Sequence, residues 1–345
     1  MQPNGIRCFV APEYSFDELA EFIQSASHSI EGCQFQLSSP PIVELLGGAI
    51  RRNVRVSLLV GEYNIDSKKL KEQREFVGWL SQLGAEIKLA PQVQPNAFHA
   101  RWLCADRRRI LLHTFALTDR ALPNTDRRQD RTGNRDFGVI FSDNNELLDA
   151  TSSAWASLRQ EPSGVPMPLV LPRTIYDPPE VPPTGRIFEP FVCESGTKSR
   201  FLWGSGREGD YFNAQFRLLE SSSDDVAVYM QYFDLDAPES QKLTQMLGQR
   251  VRSGQTARVL TQRDSTRKDL SARLNALGIQ HRIHFTKLHA KMILTPKAVI
   301  LQTKDWIVEA VEEWADCGVI IQNEAVAAYF KKIFDYDWDS SALSG

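Results

Sequence analysis

The sequence holds few cysteines and no concentrated charge of one sign. Cys8, Cys33, Cys104, Cys193 and Cys317 form no C-x-x-C pair, so neither a zinc ribbon nor a disulfide framework has a basis in the spacing, and no metal site is expected. Lys and Arg number 40 against 43 Asp and Glu, for a net charge of -3. No global basic excess therefore advertises nucleic acid. No apolar run approaches the ~18 residues needed to span a bilayer, and MQPNGIRCFVAPEYSF lacks the basic and apolar regions of a secretory signal. The expectation is a cytoplasmic protein without stable membrane insertion. GxxxxGK[ST], GxSxG and HExxH are all missing, which removes the footholds for nucleotide-triphosphate, serine-hydrolase and zincin chemistry.

What remains is an ordinary globular composition, 42% hydrophobic and 24% charged, in 345 residues. That length suits two domains or one duplicated unit. Nine of the eighteen prolines fall between Gln160 and Pro190, where neither a helix nor a central strand would tolerate them. A linker over residues 161–190 thus separates an N-terminal repeat, 1–160, from a C-terminal repeat, 191–345.

The order of events matches on the two sides. Before the linker, helical patterns over SFDELAEFIQSASHSI, PIVELLGGAIRR and REFVGWLSQLGA alternate with strands at CQFQLS, VRVSLLV and EIKLAP. After it, helices over FNAQFRLLESS, ESQKLTQMLGQRVRSG and RKDLSARLNALG alternate with strands at VAVYMQYF, ARVLTQ and IQHRIHF. Short apolar strands between helices predict an α/β fold. Each repeat is expected to be a mixed, mainly parallel sheet flanked by helices, the two related by a pseudo-two-fold axis.

The repeat gives meaning to two short stretches. FHAR, holding His99 and Arg101, occupies the place of LHAK, holding His289 and Lys291. Both are followed by an apolar hairpin and then by Asp-x-Gly-Val-Ile, with Asp136 in the first copy and Asp316 in the second. In a strand, residues two apart share a face, so each imidazole and its cation aim at one place. If the halves dock face to face, the two sets meet, and an anion such as a phosphodiester would relieve their mutual repulsion. One imidazole could attack phosphorus while the other serves the leaving oxygen as acid and base. A carboxylate on the far nitrogen of each ring would hold the tautomer, and Asp136 and Asp316 are the candidates.

This pattern resembles the phospholipase D superfamily, including its cardiolipin synthase-like members. Their motif is His-x-Lys-x4-Asp followed by Gly-Ser-x-Asn, present twice. The resemblance runs from about Ser15 to Trp338 and includes the closing Phe-x-x-Asp-Trp of FDYDW. It implies a phosphohistidine mechanism that needs no cofactor, with His99 as nucleophile and His289 as general acid. The motif is degenerate. Arg101 replaces the first Lys and Pro296 the second Asp, while Asp106 keeps the first. The Gly-Ser-x-Asn positions read His113, Thr114, Phe115, Ala116 and Gln302, Thr303, Lys304, Asp305.

The catalytic set is accordingly His99, Arg101, Asp136, His289, Lys291 and Asp316. Thr114, Thr303, His113 and Trp306 are substrate-binding candidates, Trp306 as a rim residue, although packing beside a strand explains His113 more simply. Nine arginines between Arg101 and Arg135 are interleaved with aspartates, which favours a solvated loop over a nucleic-acid track. The leading expectation is a metal-independent phosphodiesterase or phosphatidyltransferase acting as a monomer, with a phospholipid head group favoured. The alternatives are a nuclease acting on single-stranded nucleic acid and an inactive phosphate-binding pseudoenzyme.

Overall fold

Apolar runs that alternate with helical patterns become the strands of two sheets. The computed structural model describes residues 5–62, 67–90, 97–123, 133–160, 187–194, 197–205, 210–222, 224–262, 269–308 and 314–343. Most of the expected linker, 161–186, lies outside them. The first repeat runs β1 (Ile6–Ala11), α1 (Ser15–Gln24), β2 (Ser29–Gln34), α2 (Pro40–Arg51), β3 (Arg55–Val60), α3 (Ser67–Gln82), β4 (Glu86–Leu89), β5 (Ala97–Phe98), β6 (Trp102–Ala105), β7 (Arg109–His113), β8 (Asp136–Ser142) and α4 (Asn145–Gln160). The second runs β9 (Phe191–Cys193), β10 (Lys198–Ser205), α5 (Tyr211–Ser221), β11 (Val226–Met230), α6 (Pro238–Arg252), β12 (Ala257–Thr261), α7 (Leu270–Ala276), β13 (Gln280–Ile283), β14 (Met292–Leu294), β15 (Ala298–Gln302), β16 (Trp314–Gln322), α8 (Glu324–Ser340) and β17 (Ala342–Leu343).

Local sequence accounts for the punctuation. α2 opens on Pro40 and Pro41, in the first turn where a missing N–H costs nothing. α8 is capped by Asn323, whose side chain accepts from the Val326 amide. Asp106 and Arg107 both adopt positive φ at the turn joining β6 to β7, and the Asp106 carboxylate accepts from the amides of Ser27, His28 and Ser29. Those bonds outweigh partial burial and hold its pKa at about 2. The one motif aspartate retained downstream of His99 is thus a hairpin anchor.

The first sheet has the order β4-β3-β2-β6-β7-β8-β1-β9, the second β10-β16-β15-β14-β11-β12-β13-β17, with β5 pairing β16. Two repeats of mixed sheet and helix stand as expected. The proportion of parallel pairing does not: only β2-β3-β4, β11-β12-β13 and β5-β16 are parallel, and the other ladders are antiparallel. The reason is that the helix-alternating strands supply only one end of each sheet. The other end is built from hairpins and from β1 and β10, which precede the first helix of each repeat and lie antiparallel to β8 and β16.

Side-chain alternation then sorts the core into layers. On β8, Phe137, Val139 and Phe141 point into a central cluster, whereas Ile140 points outward to α1–α3. On β14 and β15, Met292, Leu294, Val299 and Leu301 join the same central cluster, and Ile293 and Ile300 face α5–α7. The central layer therefore belongs to both sheets, together with Trp155 of α4 and Phe330 and Phe334 of α8. The chain also crosses between them, since β9 pairs with β1 and β5 with β16.

Candidate active site

Two backbone crossovers bring the halves together at the site. The His99 amide donates to the carbonyl of Ala315, and the His289 amide to that of Arg135. Ala315 and Arg135 each precede the aspartate of their own repeat. The exchange is reciprocal, so each histidine enters beside the other half's carboxylate.

The side chains repeat that exchange. His99 Nδ1 lies 2.9 Å from Asp316 Oδ1, and His289 Nδ1 lies 2.9 Å from Asp136 Oδ1. An ionised carboxylate only accepts, so both rings carry their proton on Nδ1 and turn Nε2 away from the tether. The carboxylates are fully buried and are themselves held by a hydroxyl. Thr114 Oγ1 donates to Asp136 at 2.5 Å, and Thr303 Oγ1 to Asp316 at 2.7 Å. Each hydroxyl also accepts the amide of the residue after its aspartate, Phe137 or Cys317, at 3.0 Å. The two threonines thus position carboxylates, and their buried hydroxyls are not directed at a ligand as sequence reasoning expected.

The cations complete a charge-balanced cluster. Arg101 Nη2 lies 2.6 Å from His99 Nε2; a guanidinium cannot accept, so it donates into that lone pair. Its plane also sits over Phe35, 5.2 Å from the ring centroid. Lys291 Nζ donates to Gln231 Oε1 at 2.6 Å and stands 3.4 Å from Asp305 Oδ2. Lys304 Nζ stands 3.3 Å from Asp316 Oδ2. Arg101, Lys291 and Lys304 are fully buried, as are Asp136, Asp305 and Asp316. With both imidazoles neutral, three positive charges face three negative ones.

Burial and these neighbours set the ionisation. Burial lowers the pKa of His289 to about 4, against the opposing pull of Asp136. Burial, reinforced by Arg101, takes His99 well below 6.5. For Asp316, burial alone would raise the pKa, but Lys304, His99 and Thr303 prevail and bring it to about 2. Asp136 is likewise lowered despite burial, by His289 and Thr114. Both carboxylates are ionised and both rings neutral near pH 7.

The rings are not equivalent. His289 has 13% of its side chain exposed and His99 has 8%, and only His99 has Nε2 engaged by its own repeat's cation. This arrangement offers a neutral, carboxylate-oriented nucleophile beside cations that can receive an oxyanion.

Two candidates fall elsewhere. Trp306 is fully buried, with Nε1 donating to Gln215 and its ring against Phe233; apolar packing places it in the core of the second repeat and not on a rim. His113 is buried beside the site, but its Nδ1 donates to the Phe115 carbonyl and its Nε2 accepts from Gln34. Neither nitrogen is left for phosphate, and burial takes its pKa to about 3. In the arginine-rich stretch, Arg101 and Arg135 are buried and Arg108 pairs with Asp143. Arg127, Arg128 and Arg131 lie outside the described residues.

Sequence reasoning passed over Lys304, Asp305, Gln231 and Phe35. Lys304 and Asp305 stand in QTKD, at motif positions whose changed identities concealed that new charges had entered the site. The signal for Gln231 is the step shared by CQF and MQYF, a glutamine before an aromatic at the end of β2 and just past β11.

Comparison with known proteins agrees with the duplication. A family model described as cardiolipin synthase, PLD-like domain, matches residues 19–155 and again 216–338. The crystal structure of phosphatidylserine synthase from Haemophilus influenzae superposes with a TM-score of 0.71 at 11% identity, covering 95% of this chain and 84% of that one. Polyphosphate kinase from Porphyromonas gingivalis superposes with a TM-score of 0.60 at 11% identity, covering 96% of this chain and 50% of that one. No curated protein matches by sequence. At such identities the structures establish fold alone. The family model covers most of the chain, once in each repeat, and the chain belongs to the phospholipase D superfamily.

Proposed function

We propose that the chain transfers the phosphoryl group of a phosphodiester through a phosphohistidine. The observation that carries this reading is the crossed pair of histidine–carboxylate tethers, each imidazole held by the other repeat at 2.9 Å. A diester monoanion entering a charge-balanced site calls for one proton, which His99 takes as Arg101 moves from its Nε2 to a phosphate oxygen. His289 Nε2 attacks phosphorus, the P–O bond to the leaving group breaks, and His99 delivers its proton to that oxygen. A water or alcohol then gives its proton to His99 while its oxygen attacks phosphorus and releases His289. The Arg101 and Lys291 groups stabilise the oxyanion charge in both steps, and no step in this scheme calls on a metal or other cofactor.

Assigning the attack to His289 departs from what the family resemblance implies for His99. The support is that an arginine N–H occupies the His99 lone pair, whereas the His289 side chain is the more exposed and its Nε2 has no such donor among the described residues. A phospholipid head group is the substrate class we favour, supported by the cardiolipin synthase description of the family model. Both halves of the site come from one chain, so a monomer suffices. Cysteines that are all unpaired fit the reducing cytoplasm.

The test is trapping of labelled phosphate by an alkaline denaturing quench, which preserves a phosphorus–nitrogen bond, after mixing with phosphatidylglycerol, phosphatidylcholine or single-stranded DNA, followed by peptide mapping. Label on His289, lost in His289→Asn, is the expected result with a lipid donor. Label from DNA alone makes the chain a nuclease; label on His99 reverses the roles. With no label and no turnover, the phosphodiester reading is wrong.

A further inference from the structure

Lys291 is buried and faces a carboxylate where a phosphate-binding cation would be expected to stand free. Asp305 has a relative exposure of 1%. Its Oδ1 accepts the Tyr232 amide at 2.9 Å and its Oδ2 stands 3.4 Å from Lys291 Nζ. Arg101 of the first repeat and Asp316 of β16 also act on it electrostatically. The first repeat has Ala116 at the matching position, so this negative charge has no counterpart across the pseudo-two-fold axis. Lys304 is already matched by Asp316, and Arg101 lies within the field of Asp136 and Asp316. Asp305 is therefore the charge that brings this buried cluster to neutrality.

We propose that Asp305 is a resident counter-ion of Lys291 and that it makes the site selective for phosphodiesters over phosphomonoesters. The inference rests on the phosphodiester reading above. A diester brings one negative charge, which the proton on the acid imidazole balances. A monoester above neutral pH brings two, and the second must sit against the fixed Asp305 carboxylate in a low-dielectric setting, where like charges repel strongly. Removing the Asp305 charge supplies the missing positive balance. Hydrolysis of a diester leaves a monoester, so exclusion of the dianion also keeps that product from occupying the site.

Calorimetric binding of dimethyl phosphate and methyl phosphate at pH 8, to wild type and to Asp305→Asn, tests the proposal. Asn keeps the shape and an oxygen for the Tyr232 amide, and Gln231 continues to hold Lys291. Wild type should prefer the diester. The variant should shift the ratio of the two affinities toward the monoester by about tenfold or more, the effect of one nearby charge. The ratio cancels any general weakening of the site. A folded variant with an unchanged ratio overturns the inference and leaves the phosphodiester reading intact, whereas failure of both proteins to bind either anion overturns that reading. If the variant does not fold, wild-type crystals soaked with dimethyl phosphate decide: Lys291 Nζ on the phosphate and away from Asp305 supports displacement, and Lys291 still on Asp305 refutes it.

Discussion

Replacing Arg135 with methionine tests how the two repeats are held together. Arg135 is 1% exposed and lies between two fully buried carboxylates, Glu13 of the first repeat and Asp337 of α8 in the second. Its Nη1 reaches Glu13 Oε2 at 2.9 Å and the Ala11 carbonyl at 2.9 Å, and its Nε reaches Asp337 Oδ2 at 3.0 Å. Asp337 would keep the Tyr229 hydroxyl, 2.7 Å away, and His284, 3.2 Å away. Glu13 would lose its hydrogen bonds to the guanidinium. Removing one partner of a buried ion pair costs about 3–5 kcal/mol because uncompensated charge stays behind, and here two carboxylates share the loss. Equilibrium urea unfolding of Arg135→Met at pH 7.5 should show a deficit of that size. Neutralising the acids as well, with Glu13→Gln and Asp337→Asn, should recover at least half of it, since no buried charge is then stranded. A deficit under about 1 kcal/mol, or a triple variant no more stable than the single one, refutes the claim that this ion network clamps the repeats.

Two further outcomes follow from the tethers and from the buried rings. Asp136→Asn keeps the size of the side chain but cannot serve purely as an acceptor for His289 Nδ1–H, so the phosphorylation step should slow by on the order of 10⁴-fold in the variant that folds; a rate within tenfold of wild type removes the tether from the mechanism. His113, held at about 3, and His281 and His289, each held at about 4, stay neutral in the folded chain while the unfolded chain protonates them near 6.5. Their contribution is complete above that value and declines as the pH falls toward 4, at about 1.4 kcal/mol per pH unit for each ring. Unfolding free energies that do not change between pH 7 and pH 5 would falsify this account.

The duplication was legible because it is written in order and not in identity. Strand, helix, His-x-cation, hairpin and Asp-x-Gly-Val-Ile recur in one sequence, and the family model matches the chain twice, over residues 19–155 and 216–338. Among the strands that the sequence pattern does not mark, β1 and β10 open their sheets ahead of the first helix of each repeat, and β10 reads KSRFLWGS with a glycine near its end. Their absence from the reading is why the sheets were expected to be more parallel than they are. Of the candidate site residues only Asp136 and Asp316 stand on strands, in β8 and β16, whereas His99, Arg101, His289 and Lys291 lie just before β6 and β14, where the period of two does not apply; the amide bonds of His99 and His289 to the Ala315 and Arg135 carbonyls bring them together instead. Trp306 likewise follows a strand, where no period applies, and packing against Phe233 and Gln215 turns it into the core. For Thr114 and Thr303 the motif positions suggest hydroxyls kept for a ligand. Their partner turned out to be the carboxylate across the hairpin, a contact that depends on strand register and not on spacing.

The differences between the copies matter as much as their likeness. Two identical subunits about a two-fold axis must present the same groups to each other, so neither ring could differ from its mate. In a fused chain the positions are free to diverge. Arg101 donates to its own repeat's imidazole, whereas Lys291 is drawn to Gln231 and Asp305 and leaves the ring of His289 alone. Phe115 and Ala116 are apolar where Lys304 and Asp305 carry charge. Asp316 consequently has a buried ammonium at its second oxygen, while Asp136 Oδ2 makes no hydrogen bond among the described residues. The Asp316 carboxylate is thus the more strongly neutralised of the two and polarises its imidazole less. That favours His289, backed by the less compensated Asp136, as the more nucleophilic ring, in agreement with its greater exposure. The changes that make the second motif look degenerate are, on this argument, what makes the surroundings of the two histidines unequal.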